Sequence, residues 1–201
     1  MARKSIAVSP TEAGGPWLTG QVLIAMPALA GSTFARSVIY MCAHTADGAM
    51  GIVLNQPLAN PSFADLLGTL GVAPLPPARS IRLHSGGPVD NGRGFVLHTD
   101  DWTGEGSLQV DGRLALTATL DILKAIAEGG GPSQGMLALG YAGWGPGQLD
   151  REMQENAWLT APLDAGDLAL VFDADHGSKW QRALRQLGVD PVLLSGTAGR
   201  A

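Results

Sequence analysis

Between Leu139 and Leu159 the chain reads LGYAGWGPGQLDREMQENAWL, and no other stretch restricts its fold as strongly. The apolar run from Met136 to Tyr141 enters as a buried strand. Gly143, Gly145 and Gly147 then surround Trp144 and Pro146. Glycine loses more backbone freedom on folding than other residues, so a turn this rich in it marks a place where backbone geometry matters. Pro146-Gly147 suits the two central positions of a type II turn. From Gln148 to Leu159, Leu149, Met153 and Ala157 share one face, which predicts an amphipathic helix. Asp150, Glu152 and Glu155 are read as solvated carboxylates of that helix. A strand, glycine turn and helix can cradle phosphate, but neither GxxxxGK[ST] nor GxGxxG is present, and Asp150 and Glu152 would repel an anion. The turn is therefore read as structural.

With 201 residues, 45% of them hydrophobic, the chain can bury one sizeable core. Only 15% of residues are charged and 28 are glycine, which predicts a loop-rich folded domain with a weakly charged surface. Residues 1–17 are expected to form a flexible tail and residues 18–201 the domain. The net charge of −5 opposes a sequence-independent grip on nucleic acid. Lys179, Arg182 and Arg185, three apart along an expected helix, are read as its solvated face. A single cysteine excludes an internal disulfide framework. The apolar run from Val22 to Ala30 is broken by Pro27 and is far below the ~20 residues that span a bilayer. A cytoplasmic protein without a membrane segment is expected.

Short apolar runs bounded by turn residues predict strands at 21–26, 37–42, 51–55, 81–84, 94–98, 107–110, 113–117, 136–141, 168–172 and 191–194. Thr45 to Gly48 and Asp111-Gly112 suit hairpin turns. Helices are predicted at 61–70, 120–128, 148–159 and 178–187. For the first, Asn60 is the expected N-cap and Gly71 the stop. The linker Val72 to Ala78 carries three prolines. Strands come first in a run and then alternate with helices. That order predicts an α+β fold, a single compact domain with mixed, coiled, antiparallel-rich β-sheets flanked by about four helices.

Strand alternation would put Cys42 and His44 on one face, where an imidazolium could lower the thiol pKa and create a nucleophile or a redox sensor. The alternative is a small buried thiol beside a histidine bonded to a turn. His44, His84, His98 and His176 show no metal-ligand spacing. Asp173 to Gly177 resembles the start of a calcium loop, but Leu184 stands where the bidentate glutamate is required. That segment is read as a turn leading to Ser178 as a helix N-cap. No metal, cofactor or serine-hydrolase elbow is predicted.

Four blocks carry a family resemblance: Gln21 to Pro27 with Phe34 to Tyr40; Cys42 and His44 with Gly48 to Asn55; Gly86 to Val89 with Arg93 to His98; and Gly140 to Trp144 with Gly147, Gln148, Leu149, Glu152, Asn156, Ala157 and Trp158. Together they resemble the AlgH/YqgE family of bacterial proteins over Leu18 to Ala201. There are two departures: Ala30-Gly31 stands where that family commonly has an acidic residue and proline before the phenylalanine, and Ala43 where an acidic residue often separates the cysteine and histidine. The resemblance implies a compact α+β fold of coiled sheets and a cytoplasmic location. Some members are labelled transcriptional regulators. It supplies no substrate, cofactor or catalytic residue.

The expected function is that of a non-enzymatic regulatory or interaction protein with an unknown protein or small-molecule partner. Its expected contact surface combines Asn55, Gly86, Gly87, Pro88, Tyr141, Trp144, Gln148, Glu152 and Asn156, with Trp144 on an exposed turn. A thiol-dependent enzyme using Cys42 and His44 is the second expectation.

Overall fold

The computed structural model describes residues 17–73, 80–164 and 167–194. The expected tail, apart from Trp17, and most of the proline linker lie outside the described residues. Within them the chain forms nine strands. These are β1 Gln21–Ala25, β2 Val38–Thr45, β3 Gly48–Val53, β4 Leu83–Ser85, β5 Val89–Thr99, β6 Leu108–Gln109, β7 Leu114–Thr117, β8 Gly135–Trp144 and β9 Trp158–Pro162. The helices are α1 Phe63–Thr69, α2 Leu120–Ala127, α3 Gln148–Gln154, α4 Leu168–Phe172 and α5 Lys179–Gln186.

The strands run β6-β7-β5-β8-β3-β2-β1-β9 in one curled sheet, antiparallel except where β4 lies parallel to β8. The protein is thus a single α+β domain, as expected. Strand β8 joins the two halves: Met136 to Leu139 pair with β5 and β4, whereas Ala142 to Trp144 pair with β3. Alternation along the strands divides the core between the sheet's two faces. Val22, Ile24, Tyr40, Cys42 and Leu97 pack on one face with Trp180 and Leu184 of α5. Leu23, Ile39, Met41, Trp144 and Trp158 pack on the other with Leu149 of α3. Helices α1 and α2 cover Leu83, Val96 and Leu137.

Five of the expectations change. Leu168–Phe172 is a helix, because a short apolar run suits a buried helix as well as a strand, and here it packs against α5. Residues 191–193 form a 3-10 turn started by Pro191. Helix α1 begins after Ser62, which with Asp65 forms a capping box. Helix α3 ends at Gln154, since Asn156 takes φ 56° and the Ala157 and Asn156 N–H groups close back on Glu152 and Met153. Trp158 is thereby released into β9, which pairs with β1 at the sheet edge, where Pro162 needs no ladder partner.

The fifth change concerns Lys179, which is not on a solvated face. Its side chain is 0% exposed. Its ammonium donates to the carbonyls of Leu170 and Val171 at the end of α4 and meets Asp173 at 3.0 Å. Burial lowers its pKa, and Asp173 opposes that shift. Arg182 pairs with the same carboxylate at 2.6 Å. The two charges are used in docking α5 onto α4, a role that helical spacing cannot reveal.

Candidate functional site

Strand β8 runs three residues past its expected end at Tyr141, to Trp144. The turn itself is Gly145-Pro146-Gly147, closed by the Gln148 N–H on the Gly145 carbonyl at 3.0 Å. Gly147 sits at φ 62°, the left-handed value that the third position of a type II turn demands. Trp144 therefore lies on the strand and not on the turn. Its neighbour Ala142 points the same way, into the core beneath α3, and Trp144 is only 6% exposed. The expectation of an exposed tryptophan is corrected by strand alternation.

What Trp144 builds is a polar centre inside an aromatic cluster. The Trp144 and Trp158 indole N–H groups both donate to one Glu152 oxygen, at 2.9 and 2.8 Å. The Gln148 amide donates to the other at 2.8 Å, while its own carbonyl accepts from Gly145 N–H at 3.0 Å. Glu152 is half-buried, not a freely solvated carboxylate. Phe34 stacks on Trp144 at 6.3 Å and meets Trp158 edge-on at 5.6 Å. Three of the roughly four acceptor positions of the carboxylate are filled, all by neutral donors. Among the described residues no lysine, arginine or histidine nitrogen lies within ion-pair distance of it.

Asn55 belongs to this arrangement at one remove. Its carbonyl oxygen accepts from Val38 N–H at 2.9 Å and its amide donates to the Arg36 carbonyl at 2.8 Å. Gln56 donates to the Thr33 carbonyl and to Ser37 Oγ. Together they hold the 32–37 loop that carries Phe34. Asn156 contributes the left-handed residue that ends α3.

Gly86, Gly87 and Tyr141 form a second group. A Cβ on Gly86 would stand 2.2 Å from the Gly140 carbonyl oxygen, and one on Gly87 2.2 Å from the Tyr141 carbonyl carbon. These glycines are consumed by backbone-on-backbone packing, and the next residue, Pro88, is exposed. Tyr141 packs on the face opposite Trp144, edge-on to Phe95 at 5.7 Å. Of the nine expected residues, Tyr141 and Trp144 thus lie on opposite faces of β8.

Cys42 and His44 do not meet. A β-bulge between Met41 and Ala43 shifts the alternation, so that Cys42 joins the cluster with Tyr40 while His44 pairs with Ala49 beneath α3. The thiol is 1% exposed, and burial, reinforced by Asp111, raises its pKa well above the ordinary value. The His44 ring accepts from Leu18 N–H at 3.3 Å, and burial lowers its pKa against the opposing pull of Asp150. A thiolate nucleophile is disfavoured on both counts. Cys42 in the folded protein is expected to resist iodoacetamide on the order of a thousandfold more than in denaturant, the suppression that a several-kcal/mol opening free energy imposes. Alkylation at the free-thiol rate would refute that environment.

Sequence reading missed the pairing of His84 with His176. Their rings meet edge-on at 4.8 Å, with Arg82 Nη1 at 3.3 Å from His176 Nε2. His84 is 2% exposed. Burial first, then His176, lowers its pKa to about 4. No group of three metal-ligating side chains occurs among the described residues, and no helix there is long and apolar enough to cross a membrane.

A single curled α+β sheet with an aromatic and carboxylate cluster under its third helix defines the class. The sequence profile of the AlgH-like family matches residues 22–192, so the chain belongs to that family. It is similar to a UPF0301 protein of Rhodospirillum rubrum, 54% identical, with 92% of this chain and 95% of that one covered. A UPF0301 protein of Gluconobacter oxydans is 52% identical, covering 92% and 98%. The solution structure of the AlgH protein from Pseudomonas aeruginosa superposes with a TM-score of 0.74 at 41% identity, covering 96% of this chain and all of that one. A crystal structure of protein DIP2367 from Corynebacterium diphtheriae shares the fold, with a TM-score of 0.64 at 23% identity and 92% of each chain covered.

Proposed function

We propose that this AlgH-like protein is a non-enzymatic, cytoplasmic interaction protein that receives a basic group of a partner protein against Glu152. The observation that supports the reading most is the half-buried carboxylate held by two indoles and an amide, with its charge unneutralised. Neutral donors orient the carboxylate without cancelling its charge, and a lysine or arginine arriving at its open edge would complete it. Phe34 and Gln148 lie beside it to cover the aliphatic stem of such a residue. The contact surface is thereby narrower than the nine residues expected from sequence, because Gly86, Gly87 and Trp144 are engaged internally. Any regulatory effect would be exerted through protein contact. The net charge of −5 and the engagement of Lys179 and Arg182 by Asp173 argue against direct hold on nucleic acid.

Affinity capture from the source cell with the wild-type chain and folded Glu152→Gln, Phe34→Ala and Arg185→Ala variants tests this. Glu152→Gln is expected to weaken the captured complex about tenfold or more, the worth of one charge-assisted hydrogen bond. Phe34→Ala should weaken it too, and Arg185→Ala, on the exposed side of α5, should not. Equal recovery of the same partners by all three variants would exclude this face.

A further inference from the structure

A second site lies on the other side of the 32–37 loop. There a cleft of about 480 Å³ opens between that loop, α5 and the Pro191–Leu193 turn. This is within the size range of pockets that enclose small molecules. Its walls include Ala25, Pro27, Ala35, Trp180, Pro191 and Val192. Val192 stands 88% exposed at the lip. The Trp180 indole N–H is already spent on the Ala25 carbonyl at 2.8 Å, so the ring is fixed and offers the cleft apolar surface only.

Among the described residues that line the cleft, Arg36 alone is charged. Its guanidinium carbon lies 5.6 Å from the centroid of the Trp180 ring. Among the described residues no carboxylate lies within ion-pair distance of it. Its backbone sits at φ 54°, an uncommon value outside glycine. Asn55 sustains that conformation by gripping the Arg36 carbonyl and the Val38 N–H. Residues held in sparsely populated conformations by their surroundings concentrate at ligand clamps. Here the conformation delivers a cation that meets no carboxylate among the described residues to the mouth of an apolar cleft, in a protein whose net charge is −5.

We propose that this cleft binds a small amphipathic carboxylate, with its apolar body along Trp180 and its carboxylate on the Arg36 guanidinium. Shape admits the chain or ring, the fixed indole supplies the contact, and the planar guanidinium matches a carboxylate in two-point fashion. A cationic ligand would meet like charge at the mouth, and a neutral hydrocarbon would bring the guanidinium no carboxylate. The site is separate from Glu152, and neither proposal depends on the other.

Titration of the full chain with decanoate, followed through the Trp180 indole and Val192 amide resonances, tests the proposal. A saturable shift confined to the cleft is expected, with Kd on the order of 1 mM or tighter for a ligand of this size. Arg36→Gln should weaken decanoate about tenfold, Arg36→Lys less, and decanol should bind the wild type as poorly as decanoate binds Arg36→Gln. Ala30→Trp, at an exposed position lining the cleft, should block binding with the fold intact, which covers the case in which Arg36 variants fail to fold. The absence of a saturable shift, equal binding of decanol, or unchanged binding by folded Arg36→Gln or Ala30→Trp would each overturn the proposal.

Discussion

Gly87→Ala is expected to destabilise the protein by on the order of 4 kcal/mol or more, or to prevent folding, because overpacking against immovable groups belongs to the severe end of single substitutions. The new Cβ would stand 2.2 Å from the Tyr141 carbonyl carbon and 2.3 Å from the Ala142 nitrogen, both backbone atoms of β8. No rotamer relieves this contact, and β8 cannot withdraw without parting from β3 and β5. Gly188 supplies the comparison. It is also in the left-handed region, at φ 69°, yet a Cβ there would meet nothing within 4 Å. Gly188→Ala should therefore cost only about 1–2 kcal/mol, the conformational strain alone. Urea unfolding of both variants separates space from dihedral preference. Similar losses in the two would show that close approach to β8 is not what Gly87 provides.

Acid is expected to weaken the fold through His84 by about 3 kcal/mol, at about 1.4 kcal/mol for each unit of pKa difference. The direction follows from burial. In the fold its pKa is lowered from 6.5 to about 4, so the native state holds the neutral ring. The unfolded chain takes up the proton below pH 6.5, and binding to that state alone favours unfolding. This contribution is complete above about pH 6.5, is lost progressively as the pH falls, and levels off below about 4. His176, Lys179 and Arg82 face the ring and sharpen the effect, since each adds repulsion to the imidazolium. His84→Phe keeps an aromatic edge for His176 and removes the titration. Its stability relative to wild type should rise between pH 7 and pH 4.5 in denaturant titrations. A constant difference across that range would rule out His84 as the source.

Much of the architecture was legible locally. The Asp111-Gly112 hairpin, the helix over 120–127 and the Ser178 start of α5 follow from turn chemistry and from periodicities of two and 3.6. The mistakes were local as well, but their causes were not. Leu168–Phe172 becomes a helix because α5 lies alongside it, and Trp158 joins a strand because β1 presents an open edge. In the candidate site, sequence singled out Trp144, Gln148 and Glu152 yet placed the tryptophan in solvent and left Phe34 and Trp158 out of the site. The signal that could have found Phe34 is the pair Asn55-Gln56, whose side chains hold its loop across 19 to 23 residues.

The sequence by itself determined the family, the α+β class and the type II turn at Pro146-Gly147, because each depends on residues adjacent in the chain or on blocks recognisable in order. Only the tertiary structure decided that two indoles share one carboxylate, that Lys179 is interior and that Cys42 and His44 face apart. One bulge inverts the direction of every side chain beyond it, and a charge is buried or solvated according to partners supplied by remote strands and helices. Such outcomes are set by packing across the whole domain, where a single residue's surroundings are chosen by elements that its own neighbourhood does not specify.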